Sequence, residues 1–230
     1  MNNSAGLHKF TDPADGQVYI FTHLEPFFCN RWFPCFDQPS LRAPLYLDVL
    51  VPREDWNVYG NGSQKEKKKT DLGWMHTFEK SASISTYLYA MDAGPFKIIP
   101  NDKKFHVPIQ LSVRQSKLPF LNPDEYFRIL EAAILFYEEF FSTPFPFEKY
   151  EIVFCPEFRV GGMENVGLIN MTDRYFKSEY ELTGFNRYMY QKCIVHELSH
   201  MWFGDLVTMR WWNDLWLKES FADYMAAKCL

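Results

Sequence analysis

Two histidines and two glutamates have the types and spacing of a catalytic metal site. His196 and His200 are four residues apart, so on a helix both imidazoles project from one face. Two neutral imidazoles at that spacing can hold one Zn²⁺ at about 2.0–2.1 Å each. Glu219 follows His200 after eighteen intervening residues and can supply a third ligand from a later helix. Three protein ligands leave a position open for water or substrate, which is typical of catalytic zinc. The sequence therefore predicts one zinc ion per chain.

Glu197 has a different expected role, because it lies on the flank of the face that carries the histidines. It is placed to act as a general base that takes a proton from metal-activated water, rather than to bind the metal. Two surface histidines on an ordinary amphipathic helix would show the same spacing. Glu219 and the further motifs below favour the metal site over that interpretation.

The composition of the 230-residue chain allows one large domain or two smaller ones. A hydrophobic content of 47% is ample for a packed core. The net charge is −5 and the Lys and Arg residues are scattered, which argues against a nucleic-acid partner. The five cysteines are irregularly spaced without a C-x-x-C pair, so neither a disulfide framework nor a cysteine zinc site is indicated.

The start of the chain and its hydropathy bear on cellular location. Met1–Gln17 is polar and has no apolar signal-peptide core. No run reaches the roughly 18 apolar residues that span a bilayer. These features predict a cytoplasmic, reducing location and no membrane segment. The glycosylation sequon at Asn61 would matter only in a secreted chain.

Short β-branched and aromatic runs, separated by Pro, Gly, Asn and Asp, predict that residues 1–97 are all-β. The lysine-rich run Lys65–Lys69 is interpreted as a solvated loop. The predicted strands are Val18–Thr22, Leu45–Val51, Trp74–Phe78 and Ser85–Met91.

Residues 98–230 show a mixed pattern, with three helices that would position the metal site. The first is expected to begin at a capping Asn122, with Pro123 at its first position, and to end near Phe141. The second carries the histidine pair, and the third carries Glu219 and is still running at the last residue. The predicted strands are Phe105–Val113, Glu151–Cys155 and Val166–Asn170, and the second and third helices span Thr183–Phe203 and Leu215–Leu230.

The segment Gly161–Asn165 resembles the G-x-M-E-N motif of the aminopeptidase N family of gluzincin metallopeptidases, which usually has Ala where this chain has Gly162. Three further segments match the same family in order and spacing. They are Phe33–Pro39, His200–Thr208 and Trp211–Glu219. The resemblance covers essentially the whole chain.

The resemblance implies an α+β architecture in two parts. Residues 1–97 would be the C-terminal part of an all-β saddle or sandwich domain. Residues 98–230 would be the first part of a thermolysin-like catalytic domain, with a β-sheet lobe and zinc-binding helices. Family members are often two to four times as long as this chain, which therefore looks like part of a larger protein.

The resemblance also implies a zinc-dependent aminopeptidase that removes the first residue of peptides with a free N-terminus. His196, His200 and Glu219 would bind zinc, and Glu197 would be the general base. Glu164 and Glu25 would bind the substrate's α-ammonium group, although a short local motif also fits a surface glutamate at Glu25. The other substrate-binding positions would be Gly161 and Gly162, through their backbone, with Met163 and Asn165. Asp223 would orient the first histidine, unless it is an ordinary solvated aspartate.

The family's oxyanion-stabilising tyrosine lies downstream of the third zinc ligand, and Tyr224 is too close to Glu219 to replace it. Residues 1–230 alone are therefore expected to show little or no peptidase activity. Two alternatives stay open at this point. The chain could be a fragment or paralogue that acts as a binding or scaffold subunit, or it could belong to an epoxide hydrolase similar to leukotriene hydrolase.

Overall fold

The computed structural model describes residues 5–176 and 183–230. Residues 1–4, which belong to the predicted β-domain and to the polar segment at the start of the chain, lie outside the described residues. The described residues form fourteen strands and three α-helices. The strands are β1 (Gly6–Thr11), β2 (Val18–His23), β3 (Arg42–Ala43), β4 (Asp48–Val51), β5 (Asn57–Gly60), β6 (Gln64–Thr70), β7 (Gly73–Phe78), β8 (Ile84–Ser85), β9 (Met91–Gly94), β10 (Lys97–Pro100), β11 (Ile109–Val113), β12 (Tyr150–Cys155), β13 (Gly162–Met163) and β14 (Leu168–Thr172), and the helices are α1 (Pro123–Phe141), α2 (Gly184–Ser199) and α3 (Leu215–Cys229).

The strands up to β9 form antiparallel sheets, with no α-helix among them. The sheet orders are β1-β2-β9-β5, β4-β7-β6 and β3-β8. All the pairings within these sheets are antiparallel. The prediction of an all-β N-terminal part followed by a mixed part is confirmed.

A five-stranded mixed sheet, in the order β10-β11-β12-β14-β13, organises the rest of the chain. Its central strands β11, β12 and β14 are parallel, and the strands at both edges are antiparallel to their neighbours. Along β12, Ile152 and Phe154 pack against the helices, whereas Val153 and Cys155 pack against the N-terminal β-structure. Because both faces of this strand are covered, its sequence is a continuous apolar run.

Helix α1 lies where the sequence predicts it, but its N-terminus is built differently. Pro123 occupies the first turn as expected, while the Asn122 side chain makes no capping hydrogen bond, so the predicted Asn cap is wrong. The helix ends at Phe141, and the next residue, Ser142, adopts a left-handed conformation with φ 50°. Its buried face includes Leu130 and Tyr137, which pack against the sheet and α2.

Two predictions about local structure are wrong. The lysine-rich run expected to be a loop lies within β6, which pairs only with β7 at the edge of its sheet. An edge strand can keep charged side chains in solvent while its backbone pairs on one side, and lysines there discourage further pairing. The predicted strand Ser85–Met91 is interrupted by a 3₁₀ turn over Thr86–Leu88, and only its end residues lie in strands, Ser85 in β8 and Met91 in β9. Tyr87 and Leu88 are fully buried between the two parts of the molecule, so apolar composition there reflects packing rather than strand pairing.

Polar contacts also join the N-terminal β-structure to the five-stranded sheet. Asn61 Nδ2 donates hydrogen bonds to the carbonyl oxygens of Leu88 at 2.8 Å and Val166 at 2.9 Å. The asparagine of the glycosylation sequon is therefore buried and used as a structural donor. No helix among the described residues is long and apolar enough to cross a membrane.

Asp92 on β9 is a fully buried carboxyl group between the two parts of the molecule. Its Oδ1 accepts hydrogen bonds from Asn170 Nδ2 at 3.1 Å and from the Thr22 amide at 3.4 Å. Burial raises the pKa of Asp92 to about 7, although these hydrogen bonds oppose the shift. The folded state therefore holds a proton that the unfolded chain releases near pH 4.

We expect Asp92→Asn to reduce the pH dependence of stability. With a raised folded-state pKa, the contribution of Asp92 is fully present below pH 4 and is lost as pH rises to 7. From pH 5 to pH 7 the wild type should lose about 2 kcal/mol more free energy of unfolding than the variant. Urea unfolding at both pH values measures this, with the exposed Asp102→Asn as a control. Parallel profiles for wild type and Asp92→Asn would show that Asp92 is ionised in the folded protein at pH 5.

Candidate active site

The last turn of α2 places the histidine pair. The Tyr137 hydroxyl of α1 donates a hydrogen bond to the Val195 carbonyl at 2.9 Å, which ties this turn to the neighbouring helix. His196 lies in the last turn, and His200 directly follows the helix as its C-cap residue. Their Nε2 atoms are 3.1 Å apart. The four-residue spacing therefore directs both rings to one point, as predicted from the sequence.

His200 is held in one tautomer. Its Nδ1 lies 2.9 Å from the Phe203 carbonyl oxygen, which can only accept a hydrogen bond. Nδ1 therefore carries the hydrogen, and the Nε2 lone pair points toward His196 and Glu219. Backbone support of this kind is common for metal-binding histidines.

Helix α3 brings Glu219 to the same point. Its Oε2 lies 3.5 Å from His196 Nε2 and 3.8 Å from His200 Nε2. Ligand atoms of a tetrahedral zinc site, each about 2.0–2.1 Å from the metal, are about 3.3 Å from one another. The three atoms therefore have the spacing of ligands to one small cation, and their types suit zinc.

The charge states of two of these groups, His200 and Glu219, suit a cation as well. Burial lowers the pKa of His200 to about 4, so the ring is neutral at pH 7. Burial acts against the Glu219 carboxylate, but hydrogen bonding to His196 and the nearby Lys218 ammonium more than compensate and lower the pKa of Glu219. One neutral imidazole and one ionised carboxylate are thus available without any cost of deprotonation.

Glu197 lies beside the ligands, with a carboxylate oxygen within 4.8 Å of the ligand atom of His200. Burial raises its pKa to about 8, with the carboxylates of Glu164 and Glu219 adding to the rise. A Cβ atom at Gly162 would lie 2.5 Å from Glu197 Oε1, so glycine leaves the room that this carboxylate occupies against β13. The general-base candidate therefore faces the cavity between β13 and α2.

Glu25 and Glu164 meet in the structure, and a lysine lies between them. Lys218 Nζ is 2.5 Å from Glu25 Oε1 and 3.0 Å from Glu219 Oε1, and it also forms an ion pair with Glu164. The Lys218 side chain is only 2% exposed and lies over the Tyr87 ring, with Nζ 5.0 Å from the ring centroid. An ammonium group thus already occupies the carboxylate pair expected to bind the substrate's amine.

The surroundings of Glu25 and Glu164 shift the pKa values of these two carboxyl groups in opposite directions. Burial raises the pKa of Glu25 to about 7, with Lys218 opposing the shift. Burial also acts against ionisation of Glu164, but Lys218 lowers its pKa overall. One lysine faces the carboxylates of Glu25, Glu164 and Glu219. This cluster has more acidic than basic groups and favours additional cations.

The G-x-M-E-N segment lies along the edge of the five-stranded sheet. Gly161 and Gly162 line the cavity, and among the described strands β13 lies at the edge of the sheet, paired with β14. The side chains of Met163 and Asn165 are buried, and Asn165 Nδ2 donates to Asn170 Oδ1 at 3.3 Å. Neither of these two residues lines the cavity, so their part in substrate binding stays a prediction.

Asp223 lies one turn after Glu219 and close to the first histidine. Its Oδ1 is 3.6 Å from His196 Nδ1, too long for a hydrogen bond, and 2.8 Å from Lys192 Nζ. The Asp223 side chain is 58% exposed. The structure therefore places Asp223 within a small movement of His196, and its orienting role stays a prediction.

These groups surround one cavity of about 370 Å³, which is lined by all the predicted site residues except Met163 and Asn165.

Sequence reasoning missed several of the residues that line this cavity. Cys193 could have been found from its spacing, because it lies one turn before Glu197, with Sγ 3.9 Å from Glu197 Oε1. The burial of Lys218 has no local signal, since a lysine before a glutamate on a helix is usually solvated. The remaining residues that were missed are Tyr175, Met189, Lys192 and Leu215.

The fold and the residues brought together on α2 and α3 are those of a metallopeptidase. The family described as Peptidase M1 N-terminal domain matches residues 1–88, and the Peptidase family M1 domain matches residues 126–230. The chain belongs to peptidase family M1, the aminopeptidase N family.

Named relatives agree with this family. Aminopeptidase N of Streptomyces lividans is 40% identical over 233 residues, covering 99% of this chain and 26% of the relative. Leucyl aminopeptidase of Saccharolobus solfataricus is 32% identical, covering 98% of this chain and 28% of the relative. Glutamyl aminopeptidase of Sus scrofa is 30% identical, covering 95% and 23%. The chain thus spans about a quarter of the length of the curated relatives it matches.

Proposed function

We propose that the protein containing this chain is a zinc-dependent aminopeptidase that hydrolyses the first peptide bond of peptides with a free N-terminus. One observation carries the proposal. The ligand atoms of His196, His200 and Glu219 converge beside Glu197, in the same cavity as the acidic pair Glu25 and Glu164. Family membership and the names of the relatives support the same reaction.

His196, His200 and Glu219 would hold the zinc ion, since two imidazoles and a carboxylate with an open position form a common catalytic donor set. When bound, zinc supplies polarisation of the scissile carbonyl and acidification of water. Asp223 would orient His196 by accepting a hydrogen bond from its Nδ1 after a small shift.

Glu197 would move the protons of the reaction. Its carboxylate takes a proton from the attacking water as the water oxygen bonds to the carbonyl carbon. It then delivers that proton to the amide nitrogen as the carbon–nitrogen bond breaks. The products are a free amino acid and a peptide shortened by one residue. Because Glu197 is buried beside the ligands, it is shielded from bulk water.

Glu164 and Glu25 would set the position of cleavage by binding the substrate's α-ammonium group. Lys218 keeps Glu164 ionised and holds both carboxylates in place without substrate, and the excess of acidic groups leaves capacity for a second cation. The exposed edge of β13 would pair with the backbone of the peptide as an added strand.

A cytoplasmic, reducing location also remains a prediction, and all five cysteines are free thiols in the structure.

The test compares reaction classes in the longest natural form of the protein, loaded with zinc. Leucine arylamide should be hydrolysed, and both zinc chelation and Glu197→Gln should abolish turnover. A fatty-acid epoxide should be left intact. Metal-dependent opening of the epoxide without arylamide hydrolysis would favour the epoxide hydrolase alternative. Failure to turn over either substrate, with zinc bound, would favour a binding or scaffold subunit.

A further inference from the structure

A second cavity of about 350 Å³ adjoins the candidate active site. The two cavities share the lining residues Gly161, Tyr175 and Met189, so they lie side by side, and the two together are called the groove. The other described residues that line the second cavity are polar, namely Thr172, Arg174 and Asn186. None of these three residues belongs to the predicted catalytic set.

Arg174 is the charged group of this second cavity, and its guanidinium is held in place by neutral oxygen atoms. Nε donates to Thr172 Oγ1 at 3.0 Å, and Nη2 donates to the Arg159 carbonyl at 2.9 Å, with the Val160 carbonyl at 3.4 Å. The adjacent Asp173 is engaged by Arg114, whose Nε lies 3.0 Å from Asp173 Oδ2. Among residues 5–176 and 183–230, no carboxylate forms an ion pair with Arg174.

The direction of the groove indicates what would reach Arg174. In the proposed function, the substrate's ammonium lies at Glu164 and its first carbonyl lies at the metal ligands. Gly161 is at the opposite end of the same backbone segment and opens into the second cavity. A peptide extended along β13 would therefore pass Gly161 with the residues that follow the cleaved bond.

We propose that Arg174 forms a subsite on the leaving-group side that binds a carboxylate of the peptide. This inference rests on the proposed aminopeptidase function. The carboxylate has two possible sources, namely the free C-terminus of a short peptide or an acidic side chain after the cleaved bond. A guanidinium that neutral oxygen atoms hold in one orientation, and that forms no ion pair with a described residue, suits either source, since arginine binds carboxylates through paired N–H groups.

The test measures dissociation constants by calorimetry in the zinc-loaded Glu197→Gln protein, so that peptides are not consumed. The first arm compares leucyl-diglycine and leucyl-triglycine with the same peptides amidated at the C-terminus. The second arm compares amidated leucyl-glutamyl-glycine with amidated leucyl-glutaminyl-glycine. With Arg174 intact, the carboxylate form should bind about fivefold more tightly in at least one arm, because the pair is charge-assisted but exposed.

Adding Arg174→Gln should remove that preference, whereas the exposed Arg128→Gln on α1 should retain it. A preference limited to the first arm identifies the C-terminus as the source, and one limited to the second identifies the side chain. N-acetylated leucyl-diglycine serves as the control for the proposed function and should bind poorly. If acetylation abolishes binding but neither arm shows a carboxylate preference, the subsite is overturned while the aminopeptidase proposal stands. If acetylation has no effect, or no peptide binds, both are overturned.

Discussion

N-acetylation of a good peptide substrate should lower kcat/KM at least about a hundredfold, which corresponds to roughly 3 kcal/mol. The reason is the buried acidic pair Glu25 and Glu164, which lies in the cavity that holds the three ligand atoms. An acetylated terminus has no charge and an added acyl group. It would occupy the site of the ammonium while leaving the carboxylates without their second cation.

Glu164→Ala should largely erase the preference for the free amine. The variant should still fold, because Lys218 keeps the carboxylates of Glu25 and Glu219 as partners. Glu139→Ala, at an exposed position of α1, is the matched control and should retain the wild-type preference. The measurement is kcat/KM for a free and an acetylated peptide with each protein. Equal cleavage of both peptides by the wild type would show that the acidic pair does not select the N-terminus.

His196→Ala should lose bound zinc, whereas Glu197→Gln should retain one zinc ion per chain and lose turnover. The first change removes one of three converging ligand atoms, which lie 3.1–3.8 Å from one another. The second leaves all three atoms in place and removes the proton carrier, at an expected cost of about 10²–10⁴ in rate. Metal content after gel filtration separates binding from catalysis.

A matched histidine variant controls for nonspecific loss of metal. His106→Ala changes a half-exposed histidine that pairs with Glu138 at 2.9 Å, far along the sequence from the ligand set. It should keep the wild-type zinc content. Full retention of zinc in both His196→Ala and Glu197→Gln would contradict the ligand assignment. Loss of zinc in both would instead place Glu197 among the ligands.

Lys218 supplies the acidic cluster with a cation before any substrate binds. A plain pair of carboxylates would be costly to bury, and its members would shift toward their protonated forms. Because Lys218 lies between them, Glu164 is ionised before substrate arrives. Burial instead raises the pKa of Glu25. The substrate's ammonium therefore joins a partly neutralised cluster, and its binding depends on the surplus of acidic groups.

The features that depend on local geometry could be predicted from the order of the residues. The spacing of His196 and His200 requires only a helix, because residues four apart share a face in every helix. The buried strands β12 and β14 were predicted from apolar runs, and α1 from its periodicity and Pro123. Local patterns failed where packing decides conformation, as at Thr86–Leu88, and where an edge strand tolerates lysines on both faces, as in β6.

The surroundings of the metal-ligand set depend on how distant segments of the chain pack together. Glu25 reaches the site because the N-terminal β-structure packs on one face of the five-stranded sheet, while α2 and α3 cover the other face. That packing buries Lys218, which has no local signal, and it opens the groove that leads from Gly161 to Arg174. Contacts between distant segments depend on how whole layers stack. The spacing of residues along the chain predicts only those contacts that one helix or one strand can make.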